Sequence, residues 1–129
     1  MTNKIGENIG LVVSAWTDML RRGSPDALEA LLDEKVVWEG VFPGEICRNR
    51  GEVLGSLSRM QDPPRITRME AEEKGDKVMV SVNGPDFDSD DRRPAGAARS
   101  IVFTFEKGRV IKMQSLKTRD EAIRAAGLA

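Results

Sequence analysis

Residues 36–52 read VVWEGVFPGEICRNRGE, and the chain changes its structure within this stretch. β-Branched and aromatic side chains cluster in its first part, which is typical of a strand. Gly40 and Pro43 interrupt that pattern. Asn49 with Glu52 three residues later resembles the capping box that begins a helix, although Asn replaces the usual Ser or Thr. The stretch therefore predicts a strand over residues 35–42, a turn, and a helix over residues 47–60.

Two helices are predicted upstream of this strand. The first covers residues 7–23, where apolar side chains recur at the spacing of one helical face. Those side chains are Ile9, Val12, Val13, Trp16, Met19 and Leu20. Ser24 and Pro25 suit the start of a second helix, because Ser caps free N–H groups and Pro fits the first helical position. Leu28, Leu31 and Leu32 form its apolar side.

Four strands and a last helix are predicted downstream. Residues 65–84 carry two strands around Gly75-Asp76, and residues 98–116 carry two more around Lys107-Gly108. Tight turns that contain glycine mark hairpins, so this half is an antiparallel meander. Thr118 and Glu121 form a capping box for a helix that ends at Gly127. The order α-α-β-α-β-β-β-β-α is that of an α+β protein, and we expect one domain over residues 1–129.

The charge balance and the hydropathy limit the possible partners. The 129 residues include 20 Lys and Arg against 21 Asp and Glu, so the formal net charge is −1. Nucleic-acid binders usually carry a basic face, and we therefore expect no nucleic-acid partner. No apolar run approaches the ~20 residues of a membrane span, and the first ten residues lack the apolar core of a signal peptide. We therefore expect a cytoplasmic protein with no membrane partner.

Missing residue types exclude several kinds of chemistry. The chain has no histidine, no tyrosine and one cysteine, Cys47. These counts exclude histidine-assisted nucleophiles, metal centres with histidine ligands and zinc sites with several cysteines. Asp86, Asp88 and Asp90 have the first spacings of a calcium loop, but Asp91 and Ala97 occupy the positions that need Gly and Glu. We expect neither a metal nor another cofactor.

The order of elements and two motifs carry a resemblance to a known family. W-E-G-x-x-P-G-x-x-C-R-N-R-G-E-V and the later F-T-F-E-K-G-R-V-I-K-M resemble the SnoaL-like branch of the nuclear transport factor 2-like superfamily. The resemblance implies a curved antiparallel sheet that wraps the first helices into a cone with an apolar pocket. Members of the superfamily include ketosteroid isomerases, polyketide cyclases and epoxide hydrolases. Fold is what such a likeness transfers, since one fold serves many functions.

The catalytic residues of these relatives are not matched here. Ketosteroid isomerases use a tyrosine, which this chain lacks. SnoaL-like cyclases place an acid on the last strand, where this chain has Ser115. The epoxide hydrolases use an Asp-Arg-Asp relay, but Arg99 has Ile101 two residues on. Glu39 is the carboxylate left as a catalytic candidate, because an apolar pocket raises a carboxyl pKa. It alternates with Trp38, so it faces the pocket only if Gly40 permits a bulge.

The resemblance and the strand alternation together predict the pocket lining. Side chains two apart on a strand share a face, so Met113 and Ser115 face the interior while Val110, Lys112 and Leu116 face outward. Arg48 stands near the rim, where it could receive an anionic group. The complete set of predicted ligand-binding residues is Trp16, Trp38, Phe42, Arg48, Met60, Phe103, Phe105, Met113 and Ser115.

Two functions remain open at this stage. In the first, the cone binds a small apolar molecule, with or without metal-free isomerisation, cyclisation or hydrolysis, and Trp38 lines the pocket. In the second, the protein is a non-catalytic homodimeric interaction module whose cone is filled by its own side chains. Val110 and Leu116 would then contribute to a dimer patch on the sheet, since apolar surface patches commonly mark interfaces. A homodimer through the sheet is compatible with both.

Overall fold

A curved sheet and four helices make up the computed structural model, which describes residues 7–22, 26–39, 46–58, 68–83, 100–116 and 119–128. The helices are α1 (Glu7–Arg22), α2 (Asp26–Leu31), α3 (Arg50–Ser58) and α4 (Arg119–Ala125). The strands are β1 (Leu32–Glu39), β2 (Ile46–Cys47), β3 (Arg68–Lys74), β4 (Lys77–Asn83), β5 (Ser100–Glu106) and β6 (Arg109–Leu116). The predicted order is confirmed, with the two-residue strand β2 added before α3.

The strands form one sheet in the order β2-β1-β6-β5-β4-β3. Strands β3 to β6 are the predicted antiparallel meander. Strands β1 and β6 are parallel instead, with Trp38 opposite Met113 and Glu39 opposite Gln114. A parallel pair needs a long connection, and here that connection includes α3 and three further strands of the meander. The C-terminal ends of both strands therefore lie side by side, and we call this part of the sheet the β1–β6 end.

The two faces of the sheet carry separate apolar clusters. The inner face packs against α1, α2 and α3, and the residues buried there form the main core. This core includes Val12, Trp16, Met19, Leu28, Leu32, Val36, Trp38, Val53, Val78, Val80, Ile101, Phe103, Phe105, Val110 and Met113. On the outer face, α4 packs against Met79 and Val102 through Ala122 and Ala126. The helices thus cover most of the inner face but a smaller part of the outer face.

A break in the β5–β6 register changes the alternation predicted for the last strand. Thr104 pairs with Lys112 but Phe105 pairs with Val110, so Ile111 is left as an extra residue. Such a bulge moves every residue before it to the other face. Val110 is therefore fully buried in the main core together with Met113. The prediction that Val110 faces outward in a dimer patch is wrong, and Leu116 packs in the cluster under α4.

Local capping signals are confirmed at two helix ends. Asn49 Oδ1 accepts a hydrogen bond of 2.9 Å from the Glu52 N–H, and Glu52 Oε1 accepts one of 2.7 Å from the Arg48 N–H. Helix α3 thus begins directly after its cap Asn49, and Cys47, predicted as helical, belongs to β2. Gly127 has φ 74°, and its N–H and that of Leu128 donate to the carbonyls of Arg124 and Ile123. Thr118, the predicted cap of α4, lies outside the described residues.

Two lysines of the β3–β4 hairpin hold the end of α4 on the outer face. Lys74 Nζ donates to the Gly127 carbonyl, and Lys77 Nζ donates to the Ala125 carbonyl over 3.4 Å. Cations interact favourably with the last carbonyls of a helix because the macrodipole is negative there. The apolar surface of Met79 and Val102 is consequently covered by the chain's own helix.

Candidate functional site

A hydrogen bond between Trp38 and Ser115 marks the inner face at the β1–β6 end. Trp38 Nε1 donates to Ser115 Oγ over 2.7 Å. Strand β1 places Trp38 opposite Met113, and Ser115 lies two residues further along β6, so all three side chains share the inner face. The indole of Trp38 is fully buried, and its single polar atom is satisfied by this hydroxyl.

Aromatic and apolar side chains form a closed floor beneath this pair. The rings of Trp16 and Phe103 meet edge to face, with centroids 5.7 Å apart and an interplanar angle of 73°. Such contacts stabilise beyond the buried area alone. Trp38, Phe103 and Met113 have no exposed surface. In this structure these predicted ligand contacts are packed core, and contact with a ligand stays a prediction for them.

Burial decreases along the inner face of β6 toward its end. Val110 and Met113 are fully buried, whereas Ser115 is half-buried. Opposite Ser115 on β5 lies Ile101, which is buried. Solvent therefore reaches the inner face beside Ser115, at the β1–β6 end. We call Ser115, Trp38 and Met113, with the floor below them, the β1–β6 site.

Glu39 lies on the other face of the sheet. It follows Trp38 directly, and its carboxylate is 3.7 Å from Lys112 Nζ. The side chains of Glu39 and Lys112 are 44% and 40% exposed, so the pair is largely solvated. Exposed ion pairs of this kind contribute about 0–1 kcal/mol to stability. No described contact connects the carboxylate to the β1–β6 site, and its catalytic role stays a prediction.

The remaining predicted residues are distributed around the molecule. Arg48 is exposed, just before α3. Phe42 and Met60 lie outside the described residues. Phe105 is buried at the opposite end of the inner face and lines a cavity of about 370 Å³ beside the β3–β4 and β5–β6 turns. The other residues that line this cavity are Asn8, Gly75, Asp76, Glu106, Lys107 and Gly108.

Two further observations concern metals and membranes. Among the residues that the structure describes, no group of three or more His, Cys, Asp or Glu side chains is placed to hold a metal ion. The described helices include none that is both long and apolar enough to cross a bilayer.

Sequence reasoning missed the bond between Trp38 and Ser115. The sequence identifies Ser115 only as the residue that replaces an acid, and nothing local indicates a partner 77 positions away. The β1–β6 register makes the two side chains neighbours. A parallel pairing across so long a connection leaves no signal in the residue pattern of either strand.

Comparison with known proteins gives a result at the level of structure. No family model matches the chain, and no curated protein matches its sequence. A protein of Xanthomonas campestris provisionally assigned as a polyketide cyclase superposes with a TM-score of 0.62 and 19% identity, over 89% of this chain and 93% of that one. A nuclear transport factor 2-like protein of unknown function from Burkholderia pseudomallei gives 0.54 and 24% identity, over 92% and 96%. The chain has the nuclear transport factor 2-like fold.

A third structure with this fold carries a ligand. It is a protein of Catenulispora acidiphila with a ketosteroid isomerase-like fold, solved in complex with trimethylamine. It superposes with a TM-score of 0.58 and 16% identity, over 92% of this chain and 93% of that one. The predicted nuclear transport factor 2-like fold is thus confirmed, while identities this low carry no activity from one protein to another.

Proposed function

We propose that this nuclear transport factor 2-like chain, a SnoaL-like protein in its motifs, binds a small and largely apolar molecule at the β1–β6 site. The observation that carries the proposal is the Trp38–Ser115 pair, which combines a buried aromatic floor with one half-buried hydroxyl at the edge of the core. Ligand sites are typically apolar with a few placed polar groups. The trimethylamine complex of a protein with a similar fold supports a small-molecule role.

The proposal is for binding without acid–base turnover by these residues. Around Trp38, the inner-face residues of β5 and β6 are Ile101, Phe103, Phe105, Val110, Met113 and Ser115. Ser115 is the polar member of this set, and a serine hydroxyl needs a neighbouring base before it can act as a nucleophile or a base. Glu39, the predicted base, is paired with Lys112 on the outer face.

Nuclear magnetic resonance of the two indole N–H groups tests this function. Small apolar fragments such as naphthalene, indane and cyclohexylbenzene are titrated into labelled protein, and the Trp38 signal is followed together with that of Trp16 in the floor of the site. We expect a saturable shift at Trp38. In the matched variant Ser115→Gln, the longer side chain occupies the site and its amide oxygen can still accept the indole N–H, so the shift should disappear. Shifts that are equal in both proteins would contradict the proposal.

A second function is favoured by the complete burial of Trp38, Phe103 and Met113. A filled interior suits the homodimeric interaction module, in which the sheet mediates assembly. On the outer face beyond α4, Val37 is half-buried outside both apolar clusters and Ile46 is 47% exposed, next to the Glu39–Lys112 pair. We infer that a dimer contact through the sheet would use this strip of β1, β2 and β6.

The cytoplasmic location remains a prediction from the sequence.

A further inference from the structure

Strand β3 forms an outer edge of the sheet, since it is the last strand in the order β2-β1-β6-β5-β4-β3. All seven of its residues, Arg68–Lys74, pair with β4. No strand of the described residues pairs with its other side. Alternate residues of such a strand direct their backbone N–H and C=O groups away from the sheet, where an added strand can pair with them.

Helix α1 lies alongside this edge on the inner face. The Ile9 N–H donates to Glu73 Oε1 over 2.9 Å, and the Thr17 hydroxyl lies 4.0 Å from the Met69 sulfur. These contacts are eight residues apart on the helix and four apart on the strand, which is about 12 Å and about 13 Å, so the two elements run antiparallel side by side. Ile9, Val13 and Thr17 therefore lie on the side of α1 next to β3, because residues four apart share one side of a helix.

The middle of this stripe is apolar. Val13 is half-buried and belongs to neither apolar cluster of the described residues. On β3, Met69 and Ala71 are also partly buried, and both pack against the main core. A strand added beside β3 would lie about 5 Å further out, with its inward side chains next to α1. Apolar side chains at those positions would extend the main core over Val13.

The outer face of β3 is acidic. Glu70 and Glu72 lie there, and the β4 residues opposite them, Ser81 and Met79, carry no charge. A second copy of β3, paired antiparallel about Glu70, Ala71 or Glu72, would place a glutamate opposite a glutamate on this face. Like charges directly opposite each other are destabilising. The edge therefore disfavours pairing with itself and favours a strand that carries cations.

We propose that β3 and α1 form a docking groove for an extended peptide segment of another protein, which adds a seventh strand to the six-stranded sheet. The segment has Lys or Arg at alternate positions, opposite Glu70 and Glu72, and apolar side chains between them that cover Val13. In this mode the main-chain hydrogen bonds supply affinity, and the alternate side chains supply specificity. The groove lies at the opposite edge of the sheet from β2 and β1, so the inference is independent of the β1–β6 site.

Amide hydrogen exchange with a model peptide tests the groove in the intact protein. The probe is acetyl-KVKVKVK-amide, used below its aggregation concentration. The peptides acetyl-KKVVVKK-amide and acetyl-EVEVEVE-amide are the controls for alternation and for charge. We expect the probe to slow exchange at least about tenfold at alternate β3 amides, those directed away from β4, because an added strand gives them acceptors. Neither control peptide should do so.

Variants of the protein test the charge and the apolar contact. Glu70→Gln/Glu72→Gln should weaken binding of the probe about three- to tenfold, since two cross-strand charge pairs are lost. Glu29→Gln/Glu34→Gln makes the same change of charge at exposed positions away from β3 and should leave the affinity unchanged. Val13→Ala, which shortens the side chain that the segment covers, should also weaken binding.

Three results would overturn the proposal. If all β3 amides are already protected in the free protein, the edge is covered. If the probe and its scrambled control bind equally without protecting β3, the attraction is one of charge alone. If the probe does not bind, a basic alternating segment is not the partner of this edge.

Discussion

At the scale of single residues, the Trp38–Ser115 bond links a fully buried indole to the last strand of the sheet. We predict that Ser115→Ala lowers the free energy of unfolding by about 1–3 kcal/mol, because a buried N–H loses its acceptor. Urea unfolding measures this change. Ser115→Thr should lose less, since a hydroxyl remains. Ser14→Ala, on the exposed side of α1, is the control and should stay within about 0.5 kcal/mol of the wild type.

Trp38 itself should be among the side chains that stabilise the fold most. The ring has no exposed surface and packs in the main core, so Trp38→Ala should cost about 3–5 kcal/mol. Ile46→Ala on the neighbouring strand β2 removes a side chain that is 47% exposed, and its effect should be much smaller. Thermal unfolding compares the two variants. Similar losses for both would show that Trp38 is not closely packed.

Glu39 provides a test of which face of the sheet binds the ligand. We predict that Glu39→Gln leaves ligand affinity at the β1–β6 site unchanged within about twofold, because the carboxylate faces Lys112 on the outer face. The stability loss should not exceed about 1 kcal/mol, as is usual for an exposed ion pair. Titration of the Trp38 signal and urea unfolding give the two numbers. A loss of affinity of about tenfold or more would return Glu39 to the site.

At the scale of elements, the end of α4 depends on one backbone conformation. Gly127 has φ 74°, and a Cβ built there meets no heavy atom within 4 Å, so Gly127→Ala changes the backbone energy alone. We predict a loss of about 1 kcal/mol. Gly10 on α1 also has open space around it but has helical geometry, so Gly10→Ala should gain about 0.5–1 kcal/mol. Urea unfolding of both variants should thus give opposite signs, and a gain for Gly127→Ala would contradict the capping geometry.

Local sequence signals predict most of the helices and hairpins but not the bulge in β6. Helices α1 and α3 and both hairpins follow from local signals, such as the Asn49–Glu52 box and Gly108, which has the positive φ that the β5–β6 turn requires. The bulge at Ile111 leaves no such signal, because it is set by the pairing of β6 with β5 and not by its own residues. One extra residue is enough to reverse the face on which Val110 lies.

The candidate site was predictable only in part for the same reason. Strand alternation was sufficient to place Phe103 and Phe105 on one face, and the structure confirms that they share the inner face with Met113. Their burial depends on how α1 packs across the sheet, as the contact of Trp16 with Phe103 shows. The partner of Ser115 depends on the parallel register of β1 and β6. Such long-range contacts are fixed by tertiary structure, which short sequence patterns do not encode.

At the scale of the whole molecule, α4 restricts where a second copy can bind. It covers Met79 and Val102, whereas Ile46, next to the half-buried Val37, is a large apolar side chain that stays exposed on the described outer face. We predict a homodimer whose dissociation constant rises at least about tenfold in Ile46→Lys, because a charge replaces an apolar contact. Ala30→Lys, an exposed position on α2, is the control. Sedimentation equilibrium decides this, and an unchanged constant would exclude the strip.

The most direct test of the binding function is a comparison of small molecules retained by two proteins. Wild type and Ser115→Gln are incubated with the same extract of small apolar metabolites, passed through a desalting column and analysed by mass spectrometry after denaturation. We predict one or a few largely apolar species that are enriched on the wild type and absent from Ser115→Gln. Identical profiles for the two proteins would contradict the placement of the site at Trp38 and Ser115.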